Sequence, residues 1–197
     1  MECYHFLFAA MQFVLLLFPS SSLAVHNNLT DFSTMLAFKA RISGPYNILS
    51  TNWTANNSFC SWSGILCSRR GQRVVALNIV NLPLYGTIAP QVANLSFLSY
   101  LNFTNNSFVG PVPDSIAQMP HLKQLCLSEN QQSGSIPSAI FNMSLLTALS
   151  LSKNNLIGTL PSNLTFIDSI FLEFNIWGWE VIIVGDLEGG RVSDVLI

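Results

Sequence analysis

From about residue 77 onward the apolar positions of this chain recur every 24 residues. Leu77, Leu101, Leu125 and Leu149 form one column, and Ile79, Phe103, Leu127 and Leu151 a second. Ile88, Val112, Ile136 and Leu160 form a third, and Val92, Ile116, Ile140 and Leu164 a fourth. Glycines keep the same step at Gly86, Gly110, Gly134 and Gly158, in a chain that holds only 11. Self-similarity at such a step marks a solenoid, in which each unit buries its apolar face only against its neighbours. Inside a unit, Leu-x-Leu is a period-2 alternation. Leu125 and Leu127 are therefore expected to enter the core from a short strand, while Gln124, Cys126 and Ser128 face the other side. Successive strands then pair in parallel into one concave sheet.

Aligned, the units read Leu98-x-x-Leu101-x-Phe103-x-x-Asn106-x-Phe108, Leu122-x-x-Leu125-x-Leu127-x-x-Asn130 and Leu146-x-x-Leu149-x-Leu151-x-x-Asn154-x-Leu156. This is the leucine-rich-repeat pattern. The expected fold is an α/β solenoid, a right-handed superhelix with a parallel concave sheet. The Asn at the turn can bond backbone groups that the bending chain would otherwise bury unpaired, at a cost of ~1–3 kcal/mol each. The first repeat has Leu82 there, as a terminal repeat can. The third has Gln132 where its neighbours have Phe108 and Leu156, a weak spot in the core. A Gly-x-Φ-Pro element follows each of the later repeats, as in Gly110-Pro111-Val112-Pro113, turning the chain and then holding it extended. The first repeat departs here too, with Ala89-Pro90.

Ahead of the repeats, Met35, Phe38 and Ile42 stand at helical spacing, flanked by Phe32 and Leu36, with Asp31 as the expected N-cap. A short amphipathic helix here would cover the exposed core of the first repeat. Cys60 and Cys67 are expected to close a disulfide around Trp62, worth roughly 2–3 kcal/mol in an oxidising compartment. A metal site is the weaker alternative, because two thiols have no nearby Cys or His partner. Cys126 is left over. It lies ~10 Å from the first repeat, beyond disulfide reach of the cap, and reads as a free small side chain on the concave face. An intermolecular disulfide or a reactive thiol is the sharper reading.

The ends differ from the middle. The run Phe6 to Phe18 suits the core of a signal peptide and is too short for the ~20 residues of a membrane-spanning helix. Small residues ending in Ser22-Leu23-Ala24 offer cleavage after Ala24, which also removes Cys3. Eight N-x-[ST] sequons follow, at Asn28, Asn52, Asn56, Asn94, Asn102, Asn105, Asn142 and Asn163. In a secreted chain each reads as a surface glycan acceptor. The apolar stretch Phe166 to Val184 carries Asp168, Glu173 and Glu180, each costing ~2.5–3.5 kcal/mol near a helix centre, and is not read as a span. At the next core position after Leu149 the 24-residue step meets Glu173, so the repeats are expected to stop there. The domain reading is a signal peptide over 1–24, an N-terminal cap over 25–73, about four repeats over 74–170 and an apolar, acidic tail over 171–197.

Composition changes this picture in one respect. Of the 197 residues only 18 are charged, net −2, and the mean hydropathy is +0.43, which by itself suggests a membrane protein. The polar surface is supplied instead by 18 Asn and 24 Ser. Near-neutral charge removes the electrostatic case for nucleic acid. Arg69, Arg70 and Arg73 form the one basic cluster and read as a solvated loop.

The Gly-x-Φ-Pro element, "LAFKARIS" (Leu36 to Ser43), "NWTANNSFCSWSGILCS" (Asn52 to Ser68) and "NLSFLSYLNFTNNSFVGPVP" (from Asn94) make the chain resemble the ectodomain of plant leucine-rich-repeat receptor-like kinases, of the group with pathogen-sensing members. The resemblance spans about residues 31 to 170. It implies perception of an extracellular peptide or protein ligand, with a co-receptor and an intracellular Ser/Thr kinase in full-length members. No Gly-rich loop, H-R-D or D-F-G is present in the chain, so no kinase activity is expected of it. A membrane link is expected only through a further C-terminal part. The tail reads either as an improvised cap or as the remnant of an interrupted gene; the second is favoured because the family continues for many more repeats.

Binding is expected on the outward strand positions Tyr100, Asn102, Thr104, Gln124, Ser128, Glu129, Ser152 and Lys153. Glycans on Asn102 and Asn105 would block part of that face. The alternative function is a secreted inhibitor of microbial cell-wall-degrading enzymes, whose members share the Gly-x-Φ-Pro element. Catalysis fails on inventory: His26 and His121 have no carboxylate or thiol placed for a nucleophile–base pair. No cofactor or metal is expected.

Overall fold

The computed structural model describes residues 28–44, 49, 52–54, 56–70 and 72–158, with the backbone alone of strands over 169–176 and 179–184. The leader segment 1–24, Asn163 and the side chains of the tail lie outside the described residues.

One α-helix, α1 (Asn28–Lys39), opens the described chain and buries Met35 and Phe38 completely. Ile42, expected on the same helix, is instead in β1 (Ile42–Ser43), because the helix stops at Lys39 and the chain turns to pair with a later strand. The expected N-cap is also corrected. Asp31 sits inside the first turn of α1, fully buried, and its carboxylate leaves the helix to bind Arg73 and the backbone N–H of Val74.

The concave sheet has seven strands. Its central four, β3 (Val74–Asn78), β5 (Tyr100–Asn102), β7 (Gln124–Cys126) and β9 (Ala148–Ser150), are parallel and pair at the 24-residue step, Leu77 with Leu101, Leu125 and Leu149. An antiparallel strand, β2 (Ile65–Cys67), covers its first edge. At the other edge, β11 (Ser169–Ile176) pairs with β9, followed by antiparallel β12 (Trp179–Val184). The chain supplies one more parallel strand, but it matches Ile170 rather than residue 173 to Leu149, three residues ahead of the period.

A second sheet, not anticipated from the sequence, runs along another side. It orders β1, β4 (Tyr85–Gly86), β6 (Ser107–Gly110), β8 (Gln131–Ser135) and β10 (Asn155–Ile157). Between the two sheets each repeat passes through a short 3-10 turn, Pro90–Asn94, Asp114–Gln118 and Ser138–Asn142, whose Val92, Ile116 and Ile140 close the core.

Burial follows the columns. Leu77, Leu101, Leu125 and Leu149 are fully inaccessible, and so are Phe103 and Leu127. The cap joins this core through aromatic contacts: Phe38 stacks on Phe103 at 5.1 Å, Phe103 meets Phe108 at 5.1 Å, and Trp53 stacks on Trp62 at 5.2 Å. Such pairs add about 0.5–1.5 kcal/mol beyond their burial. Both indole N–H groups find carbonyls, Trp53 on Ser63 and Trp62 on Thr54. Cys60 and Cys67 form the disulfide around this cluster, with a Cα separation of 5.5 Å.

The turn asparagines act as expected. Asn130 Nδ2 donates to the carbonyls of Phe103, Leu127 and Ser128 at 2.9–3.1 Å, and its Oδ1 accepts from Phe108 N–H at 2.9 Å. Asn154 repeats this one coil later, accepting from Gln132 N–H and donating to Leu127, Leu151 and Ser152. Each asparagine therefore bonds its own coil to the preceding one. The residue before each asparagine is left-handed, at Asn105, Glu129 and Lys153, and so is Asn81 before Leu82 in the first repeat.

Gln132 fulfils its expected weakness. It is fully buried, and neither its side-chain oxygen nor its nitrogen has a partner. Replacing Gln132→Leu, as in the following repeat, is expected to stabilise the chain by about 1–3 kcal/mol. The check is a higher urea midpoint at unchanged m-value; a lower midpoint contradicts it. The glycine column divides similarly. A Cβ on Gly86 would collide with the Arg41 carbonyl oxygen, whereas on Gly134 its nearest contact is 3.8 Å away. Gly134→Ala should cost only the left-handed penalty of about 1–2 kcal/mol, and Gly86→Ala clearly more in the same denaturation series.

Candidate functional site

The expected binding positions lie along the concave sheet, where the pairing aligns them in rows. The first row is Leu66, Ala76, Tyr100, Gln124 and Ala148; the second is Asn78, Asn102, Cys126 and Ser150. Thr104, Ser128 and Ser152 follow beyond the strand ends, then Asn105, Glu129 and Lys153 on the left-handed turn. On the four central parallel strands these side chains are mostly small or polar, because the period-2 alternation sends the leucine columns to the other side.

Many of these groups bond each other. Asn102 Nδ2 donates to the Tyr100 hydroxyl at 2.8 Å, and Asn102 Oδ1 accepts from both Thr104 N–H (3.0 Å) and Thr104 Oγ1 (2.7 Å). Ser128, Ser150 and Ser152 share a hydroxyl chain at 2.6 and 3.1 Å. Ser128 is left only 6% exposed, so of the expected positions it is the one withdrawn from solvent. Gln124 stands exposed with no such bond. On the turn, Lys153 Nζ lies 3.3 Å from Glu129 Oε1, an exposed pair worth about 0–1 kcal/mol, and Asn105 Nδ2 donates to Asn81 Oδ1 at 2.8 Å.

Cys126 is a free thiol, half-buried in the middle of the second row. Burial pushes its pKa up, which keeps it a thiol at neutral pH and lowers its nucleophilicity. Among the described residues no group of three or more His, Cys, Asp or Glu could hold a metal ion, and no helix is long and apolar enough to cross a membrane.

The expected solvated Arg69, Arg70 and Arg73 loop is corrected at one member. Arg69 and Arg70 are exposed in the turn between β2 and β3, but Arg73 is 5% exposed. Its guanidinium makes a two-pronged contact with Asp31 (Nε to Oδ2 3.0 Å, Nη2 to Oδ1 2.8 Å), and its carbon lies 4.5 Å from the Phe97 ring centroid. Spacing gave no sign of this pair, since 42 residues separate its members.

The sequons fall into different settings. Asn56, Asn94, Asn105 and Asn142 are exposed, and Asn28 is half-buried at the start of α1. Asn52 accepts from Ser63 N–H through its side-chain oxygen, and Asn102 is bonded at both amide atoms.

Comparison with known proteins agrees with this architecture. Residues 28–68 match the leucine rich repeat N-terminal domain, and residues 97–119, 121–143 and 145–167 match the leucine rich repeat, together more than half of the chain. The LRR receptor-like serine/threonine-protein kinase EFR of Arabidopsis thaliana is 40% identical over 78 residues, 39% of this chain and 8% of that relative. This chain thus matches less than a tenth of the length of such relatives. Among solved structures, a PEPR1–AtPEP1 crystal structure superposes with a TM-score of 0.67 at 27% identity, covering 74% of this chain and 21% of that one. The BIR3–SERK2 complex from Arabidopsis thaliana gives 0.65 at 28% identity, over 73% of this chain and 83% of that one. Cap, repeats, turn asparagines and disulfide together place the chain among the leucine-rich-repeat proteins, with the N-terminal domain and first coils of a plant receptor-kinase type of ectodomain.

Proposed function

We propose that this chain is an extracellular recognition module of the pathogen-sensing type, which binds a peptide or protein ligand on its concave sheet and works with a co-receptor. The observation that carries the reading is the concave face itself. It is a broad parallel sheet of mostly small or polar side chains with Gln124 and Tyr100 standing on it, held rigid from behind by the leucine columns and the asparagine ladder. A preorganised face of this kind loses little entropy when a ligand settles on it. The similar PEPR1 structure contains AtPEP1, and the similar BIR3 structure is a complex with SERK2, which supports a bound protein or peptide partner for this fold. The exposed sequons Asn56, Asn94, Asn105 and Asn142 fit an extracellular setting, as does the Cys60–Cys67 disulfide.

The test is a bulky substitution on each side of the coil. The chain is produced by secretion from plant cells and screened against peptides derived from microbial surface proteins. Gln124→Trp, on the concave face, is expected to weaken a captured peptide by about tenfold or more, and Gln118→Trp, in an exposed 3-10 turn, to leave it unchanged. Equal effects of the two substitutions would contradict the assignment of the face.

A further inference from the structure

One rim of the concave sheet differs in chemistry from the rest. Ahead of the four central parallel strands, residues 73, 97, 121 and 145 repeat at the 24-residue step as Arg73, Phe97, His121 and Leu145. The first three form a continuous stack. The Arg73 guanidinium carbon sits 4.5 Å from the Phe97 centroid, and the Phe97 and His121 rings lie 5.6 Å apart at 12°. Two bonds lock the stack onto Ser96: Arg73 Nη2 donates to its hydroxyl at 3.1 Å, and His121 Nδ1 donates to its carbonyl at 2.8 Å. Phe97 and Leu145 are nonetheless each 45% exposed, and on the adjoining row Leu66 is 61% exposed beside Ala76.

The same rim carries cations that pair with no carboxylate among the described residues. Arg69 and Arg70 stand exposed in the turn that Ser68 N–H closes on the Arg73 carbonyl, and Lys123 is exposed just ahead of β7. Three acids have described side chains. Asp31 is occupied by Arg73, Glu129 pairs with Lys153 at the opposite rim, and Asp114 lies in the 3-10 turn on the far side of the coil. Among the described residues the opposite rim is therefore charge-balanced, while this one is cationic with exposed apolar side chains between the charges.

The geometry points to an acidic peptide segment of a partner protein as the occupant of this rim: carboxylates at Arg69, Arg70 and Lys123, with an aromatic or aliphatic side chain on Phe97, Leu66 and Leu145. This inference rests on the concave-face reading above and names the class of ligand. From β2 to β9 the sheet spans about 19 Å, the reach of roughly six residues of extended chain. The alternation of cations with apolar groups selects a peptide over a uniformly charged polysaccharide, which would leave Phe97 and Leu145 without apolar partners.

The probe is a fluorescein-labelled hexapeptide alternating Glu and Phe, with its Lys/Phe counterpart as control, titrated into the full chain at low and physiological salt. The acidic probe should bind about tenfold more tightly than the basic one, and more weakly as salt rises. Neutralising Arg69→Gln with Arg70→Gln, or Lys123→Gln, should each lower its affinity about threefold to tenfold; Asp114→Asn, in the exposed 3-10 turn on the far side of the coil, should not. All are exposed positions away from the core, so folding is retained. Equal affinity for the two probes, retention of binding in the Arg and Lys variants, or equally tight binding of a galacturonate hexamer each overturns the proposal. Loss with Gln124→Trp alone leaves the concave-face reading standing and removes the rim. Loss with the rim variants but not with Gln124→Trp keeps the rim and removes the concave-face reading.

Discussion

A 24-residue coil cannot bury its own apolar face, and everything else in this protein follows from that constraint. The coil supplies one short strand, a 3-10 turn and one side of a core layer, and its leucines are inaccessible only because the next coil lies against them. The first coil has no predecessor, so its exposed layer is covered by α1 and the disulfide-bonded aromatic cluster. Asp31 and Arg73 make that junction specific. A carboxylate from the helix meets the guanidinium next to the first parallel strand and also the first N–H of that strand, at 2.8 Å. Breaking one side of a buried pair of this kind costs about 3–5 kcal/mol, because the remaining charge is left without compensation.

From that junction onward the repeats are joined by a polar ladder as well as by packing. Asn106, Asn130 and Asn154 each donate to a carbonyl of the preceding coil and to carbonyls of their own. The ladder explains why the concave face is uniform. Strand starts, turn residues and outward side chains return at the same height in every coil, so unlike residues in one column, such as Phe97 and His121, are brought into contact. The function-bearing chemistry is a product of register: columns that are 24 residues apart in sequence become neighbours about 5 Å apart in space.

What was legible in the sequence was what repeats. The leucine columns, the turn asparagines, the weakness at Gln132 and the loop closed by Cys60 and Cys67 are local or periodic signals, and the structure carries them. What was not legible came from contacts without a period. The Asp31 carboxylate looked like a helix cap because an acid at the head of an apolar helix usually is one, and its partner lay 42 residues away. The second sheet escaped notice because its strands pair about 22 residues apart, offset from the 24-residue step, and contain Gly and Ser in place of β-branched residues. Strand β11 was hidden for a related reason: it joins the concave sheet through Ile170, three residues ahead of the period, and the periodic position itself holds Glu173. On the concave face the outward positions were identifiable, but not the hydroxyl chain that withdraws Ser128 from solvent.

Stability passes from the cap through the coils by nearest-neighbour contacts. Native-state hydrogen exchange on the Asp31→Asn variant tests it most directly. Amide protection is expected to fall most at β3, less at β5 and least at β9, because the perturbation enters at the cap junction and weakens with each coil. An equal loss of protection across β3, β5, β7 and β9 would contradict it.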